Sequence, residues 1–237
     1  PVLLESEEVE PDPQIPQVVP GTDTSDLTDP ADRAGKNQRW AWWTGSRWDA
    51  VLPTGDGWTI YTDLAGDMES SEVVVDDRQD TRVDTWFEAG SLWVLRGHDT
   101  APRVTRYDLV GGDYVPDQDV EDVTVSALAA AGHDASPAVL YRTPNGRLWA
   151  AVVNGSNCVV AVSGDDGETW TSANAVSTTT TGVAALAHSG STVLLLVTEN
   201  AEQGRHVLTI DQELQDAAVQ TASRGQLKVV TDDDGNF

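Results

Sequence analysis

SGDDGETW, residues 163–170, stands directly behind the apolar run CVVAV, residues 158–162. The run is short and β-branched, which suits a strand. The octapeptide is a turn by composition. Ser163 and Asp165 can satisfy backbone donors through their side chains, and Gly167 can take a positive φ that other residues resist. Trp170 has the reach to pack back onto the sheet it re-enters. A strand, a polar turn containing glycine and a second strand form the unit from which the rest of the chain is read.

From residue 39 onward that unit returns. WAWWTGSRW, WFEAGSLWVL, LYRTPNGRLWAAV, ALAHSGSTVLLLV and LKVVTDDDGNF each join two β-rich runs through a turn glycine. Those glycines, Gly45, Gly90, Gly146, Gly190 and Gly235, lie 45, 56, 44 and 45 residues apart. After each of the first four hairpins comes a third run, GWTIYT, RVTRYDL, CVVAVS or RHVLTI, and then a weaker fourth segment. Four antiparallel strands at this pitch make the blade of a β-propeller. A sandwich would show turn signals without the same hairpin recurring. The expected fold class is therefore all-β: a β-propeller of four-stranded antiparallel blades, about four of them plus the start of a fifth, over residues 39–237. At this pitch six blades would run past Phe237, so a further C-terminal part is expected. VSALAAAG at 125–132 is the one stretch that predicts a short helix.

Residues 1–38 differ. They hold six of the eleven prolines, and nine acids against two basic residues. Proline blocks helix interiors and central strands, and like charges extend a chain. The segment predicts an extended arm, with QIPQVVP able to dock as an isolated strand. Asp23, Asp26, Asp29 and Asp32 recur every three residues, but a calcium loop needs tighter alternation and a turn glycine, so a solvated loop is expected there.

The whole chain has 39 acidic and 14 basic residues, a net charge of −25. A field of that sign repels phosphate backbones, so no nucleic-acid partner is expected. No run of eighteen apolar residues exists and no membrane insertion is expected. No basic segment followed by an apolar one opens the chain, so no signal peptide is seen. The single cysteine, Cys158, excludes an internal disulfide and reads as a buried thiol. Only Lys36 and Lys228 are lysines. Many aspartates with few lysines suggest a high-salt setting; a basic or cationic partner is the other reading.

The 163–170 turn resembles the Asp box, S-x-D-x-G-x-T-W, of the sialidase-like propellers, with Ser163, Asp165, Gly167, Thr169 and Trp170 matching position for position. The resemblance implies a hairpin between the third and fourth strands of a blade, with a structural role. DLVGGDY at 108–114 is a remnant in which Tyr114 stands where the tryptophan would. Catalytic members of that family use three arginines, a Tyr–Glu pair and an Asp, with an Arg-Ile-Pro-type segment near the first blade. This chain has no such segment. Arg82, Arg96, Arg103, Arg205 and Arg224 fall near inter-strand loops, and no motif places them.

Two GHD tripeptides, at 97–99 and 132–134, put His98, Asp99, His133 and Asp134 in loops of neighbouring blades. Imidazole and carboxylate suit a divalent cation, and this is the only cofactor considered; a pair of ordinary turns is the competing reading. Asn154-Gly155-Ser156 is a glycosylation sequon that matters only in an exported protein. Nine tryptophans, five of them between residues 40 and 58, are expected mostly between blades. Together these features lead to the expectation of a non-enzymatic module in an extracellular assembly. The expected setting is the virion surface, as a tail, fibre, turret or capsid protein that joins other subunits through residues 1–38. A glycan or host surface is a further expected partner. A sialidase-like glycoside hydrolase and a secreted or cell-surface carbohydrate-binding propeller are the alternatives. If the acidity reflects high salt, screening relieves self-repulsion, and the thermal midpoint rises steadily from low to molar KCl. A midpoint that is flat or falls with KCl removes that explanation of the charge.

Overall fold

The computed structural model describes residues 39–78, 81–97, 101–131, 138–154, 157–177, 180–189, 192–199, 205–211 and 223–226. The arm assigned to residues 1–38 and the hairpin expected at 227–237 lie outside them.

The described residues form four antiparallel sheets. The first holds β1 (Ala41–Trp43), β2 (Trp48–Thr54), β3 (Gly57–Thr62) and β4 (Glu69–Asp76). The second holds β5 (Val83–Glu88), β6 (Ser91–Arg96), β7 (Arg103–Val110) and β8 (Asp113–Pro116), with β9 (Val123–Thr124) also pairing with β7. The third holds β10 (Ala138–Arg142), β11 (Leu148–Asn154), β12 (Asn157–Ser163) and β13 (Thr171–Ser177). The fourth holds β14 (Thr180–Ser189), β15 (Thr192–Glu199), β16 (Arg205–Asp211) and β17 (Ser223–Gln226). Strands adjacent in sequence are adjacent in each sheet, and β5 lies against β1 and β10 while β10 lies against β14. These are the four-stranded blades of a β-propeller, with the first strand of each blade turned toward its neighbours' first strands.

Turn chemistry sets the registers. Ala89 and Gly90 take φ of 52° and 87°, and two such residues match the twist of the flanking strands, so Glu88 pairs directly with Ser91. The blades are joined by side chains packed between sheets. One core cluster places Trp42, Val51 and Ile60 of the first blade against Leu92, Val94 and Tyr107 of the second. The other places Trp93, Leu95 and Val104 against Leu140, Leu148 and Trp170 of the third. Tyr114 sits in the first of these. Its hydroxyl donates to Asp49 Oδ2 at 2.7 Å and accepts from Trp42 Nε1 at 2.8 Å, so a phenol from blade two closes a polar triad with blade one.

The 163–170 stretch is the β12–β13 turn. Ser163 Oγ donates to Asp165 Oδ1 at 2.7 Å and accepts from the Gly167 amide at 2.9 Å. Asp165 also receives the Thr169 amide at 2.9 Å and the Thr169 hydroxyl. Trp170 Nε1 returns to the Gly167 carbonyl at 3.0 Å. Gly167 has φ of 108°, and a Cβ there would lie 3.2 Å from Val120 Cγ1, so both backbone and space ask for glycine. Burial pulls the Asp165 carboxyl upward, but the bonds from Thr169 and Ser163 outweigh it and hold the carboxyl below its ordinary value.

The short helix expected at 125–132 is present as a 3-10 helix, Ser126–Ala131. Six residues are too few to recover helix nucleation, and the segment is fixed instead by Leu128, which is fully buried between the second and third blades. Trp170 is 8% exposed in the same cluster. Trp170→Ala should cost about 3–5 kcal/mol in urea unfolding. A loss under about 1 kcal/mol would mean that the turn does not help hold the blades together.

Candidate functional site

The first strand of every blade is a sheet edge, and edges carry unpaired N–H and C=O groups. Just before β1 and within β10, two of these groups are satisfied by one side chain from β5. Asp84, 2% exposed, accepts the Arg39 amide on Oδ1 and the Leu140 amide on Oδ2, both at 2.6 Å. Thr85 completes the join: its amide and hydroxyl both donate to the Arg39 carbonyl, at 3.2 and 2.8 Å. Three blades are thus tied together without a shared ladder. Burial pushes the Asp84 carboxyl up to about 6 from an ordinary 3.8, against the opposing pull of the two amides and the Arg39 charge.

Beside this join lies a cavity of about 380 Å³, lined by Arg39, Ala41, Trp42, Thr85, Trp86, Phe87 and Tyr141. The Arg39 guanidinium carbon stands 4.4 Å from the Trp86 ring centroid and 5.7 Å from that of Tyr141. The two rings meet edge to face at 4.9 Å. Arg39 Nη1 is buried and has no hydrogen-bond partner. Among the described residues Arg39 forms no ion pair. The lining therefore offers apolar ring surface and a donor that is already dehydrated, the combination that holds a polar ligand with an apolar face. Burial raises the Tyr141 phenol, which stays neutral at physiological pH.

Glu88, at the end of β5, adjoins this cavity. Its Oε2 lies 3.5 Å from Trp86 Nε1 and 2.9 Å from Arg142 Nη1. Arg142 also donates to Asp166 Oδ1 at 2.8 Å and stacks over Trp93 at 4.9 Å. Trp93 Nε1 donates to the Asp166 carbonyl at 2.7 Å, so this second cluster joins blade two to the β12–β13 turn.

The residues singled out from sequence fall elsewhere. Ser163, Asp165, Gly167, Thr169 and Trp170 occupy that turn, and the cavity lining comes from other strands. His98, Asp99, His133 and Asp134 lie outside the described residues, as do Gly155 and Ser156 of the sequon. Among the described residues no group of three His, Cys, Asp or Glu side chains is placed to hold a metal ion. Arg96 and Arg103 share the carboxylate of Asp122 and so are neutralised. Sequence reasoning missed Arg39, Asp84, Trp86 and Tyr141 as a group. The signal available was an arginine directly before the tryptophan-rich first strand, together with an acid inside the apolar start of β5.

No family model matches the chain, and no curated protein is significantly similar to it. Solved structures share its fold. The chain superposes on an endo-arabinase from Bacteroides thetaiotaomicron with a TM-score of 0.48 and 9% identity, covering 84% of this chain and 87% of that one. A protein of unknown function from Dyadobacter fermentans gives 0.50 and 16%, covering 83% and 57%. Trypanosoma rangeli sialidase gives 0.44 and 12%, covering 75% and 35%. These likenesses bear on fold. The expectation of a non-enzymatic module is corrected to this extent: proteins named as enzymes are among those that share the fold, so the fold gives that expectation no support. That expectation rested on the absence of a catalytic motif. A propeller draws its axial groups from strands about 45 residues apart, so a contiguous motif need not exist.

Asp84 makes stability depend on pH in a definite direction. Its folded value lies above the unfolded one, so between roughly pH 4 and 6 the folded state binds a proton that the unfolded state lacks. Its contribution is fully present below the unfolded value and is lost as the pH rises through about 6, a change of about 3 kcal/mol. Urea unfolding at pH 4.5 and 7.5 should show a larger loss for the wild-type chain than for Asp84→Asn. Equal losses would assign the pH dependence to other carboxylates.

Proposed function

We propose that this chain is a glycan-acting propeller of the glycoside-hydrolase class, with the sugar seated in the cavity between the first strands of blades one to three. The observation that carries this reading is Arg39, which lines a cavity of about 380 Å³, is held over Trp86 and Tyr141, and has a buried, unpartnered Nη1. That volume suits one or two sugar rings. Aromatic rings take the C–H face of a pyranose or furanose, and a dehydrated guanidinium donates to its oxygens. Glycoside cleavage needs a carboxyl group at the scissile oxygen. Asp84 cannot serve, because both of its oxygens are occupied by backbone amides beneath the cavity. Glu88 is half-exposed, adjoins Trp86, and is held from the other side by Arg142, so it is the candidate acid.

The test is a panel of fluorogenic aryl glycosides spanning pentofuranosides, hexopyranosides and sialic acid, with tryptophan fluorescence followed in parallel. At least one member should turn over. Glu88→Gln should then lower kcat by about a hundredfold or more with the fold intact, and Trp86→Ala should raise KM. Binding without turnover by every member would withdraw the hydrolase reading. The absence of both turnover and any fluorescence change would withdraw the site as well.

A further inference from the structure

Asp84 does more than close a sheet edge. Its own backbone pairs with Leu95 of β6, so the ladder of blade two needs nothing from its side chain. Its two oxygens instead hold the main chain at Arg39 on one side and at Leu140, next to Tyr141, on the other. Thr85, the following residue, grips the Arg39 carbonyl. Every residue so held either lines the cavity or adjoins one that does. Arg39 and Tyr141, which meet at 5.7 Å in the lining, are therefore placed by the Asp84 carboxylate, with Thr85 as a second hold on Arg39. An Asn could not replace it, since one of its two polar atoms is a donor and would oppose an amide.

We propose that Asp84 is the positioning residue of the cavity: its carboxylate sets Arg39 against Trp86 and Tyr141, and protonation of that carboxylate releases the arrangement. A carboxyl oxygen that carries a proton is a poor acceptor, so one of the two amides loses its partner and one first strand is freed against the other. This inference rests on the cavity being the ligand site. The groups facing Asp84 leave it to titrate alone. From β1 comes Arg39, charged throughout and the one charge acting on it; from β10 come Tyr141, kept neutral by burial, and Arg142, kept charged by Glu88 and Asp166; from β6 comes Leu95 opposite it. The change falls near pH 6, where the buried carboxyl titrates, with the ordered state above it.

The test needs no sugar, so it can fail or succeed apart from the hydrolase reading. In two-dimensional NMR of the full 237-residue chain between pH 5 and 8, three signals are followed: the Arg39 amide, the Leu140 amide and the Trp86 indole N–H. All three should move together with one midpoint near pH 6, the amides shifting upfield as the pH falls. Asp84→Asn should abolish the shared transition. Amides that titrate while the Trp86 indole stays still would show that the clamp does not reach the cavity. Amides that do not titrate in the wild-type chain, whether or not the variant folds, would overturn the proposal outright.

Discussion

The four-stranded blades share no hydrogen-bonded ladder with one another, and that constraint shapes everything else in this protein. Each blade ends at an unpaired edge near the axis, and each sheet has a face that only another sheet can cover. The apolar clusters between blades supply most of the association but little direction. Direction comes from a few polar bridges: Asp84 between Arg39 and Leu140, the Trp42–Tyr114–Asp49 triad, and Trp93 with Arg142 at the β12–β13 turn. Each bridge joins blades that share no ladder. The first two are largely buried, so their groups must find partners within the protein or remain unsatisfied, whereas Asp166 in the third is exposed on its carboxylate side.

The bridges also change how the acidity is understood. A net charge of −25 reads from sequence as a solvated surface. Yet Asp49, Asp76 and Asp84 are at most 3% exposed. Asp49 accepts from Arg47, Tyr114 and the Asp63 amide, and Asp76 from the Arg78 side chain and amide. These carboxylates act as two-oxygen acceptors that stitch loops and strands. Salt screens them far less than it screens surface charges. Any response of the protein to salt therefore reports on the remaining acids and leaves the inter-blade bridges nearly untouched.

What the sequence showed and what it hid divide along contact distance. The blade pitch, the hairpins around Gly45, Gly90 and Gly146, and the placing of residues 163–170 between the third and fourth strands of a blade were legible, because each is decided within about ten residues. Tyr114 was legible as a turn-following aromatic, but its role was not, since Asp49 and Trp42 lie in another blade. The short helix was legible from its alanines, but its 3-10 form was not, because tertiary burial of Leu128, not local propensity, fixes residues 126–131. The cavity was hidden most fully. Arg39, Trp86 and Tyr141 arrive from three blades, and nothing in the neighbourhood of any one of them points to the others. The non-enzymatic expectation leaned on the lack of a contiguous motif, which a site assembled from separate blades would not show.

Asp84 brings the energetic cost and the use of such a site to a single atom group. Burial makes the ionised form of this carboxyl costlier than it is in water, which is why its titration is displaced upward. A pair of apolar residues at that junction would spare the desolvation, as often holds for buried charges. Such a pair could not hold two amides from separate blades at fixed positions, because the groups being held are main-chain donors and dispersion has no direction. The arrangement gives up some stability above pH 6 for a defined spacing between Arg39 and Tyr141. Sites that keep a strained or costly group commonly do so where geometry matters more than stability. On that argument the cavity between the first strands, and not the self-contained turn at 163–170, is the place where the proposed activity would sit.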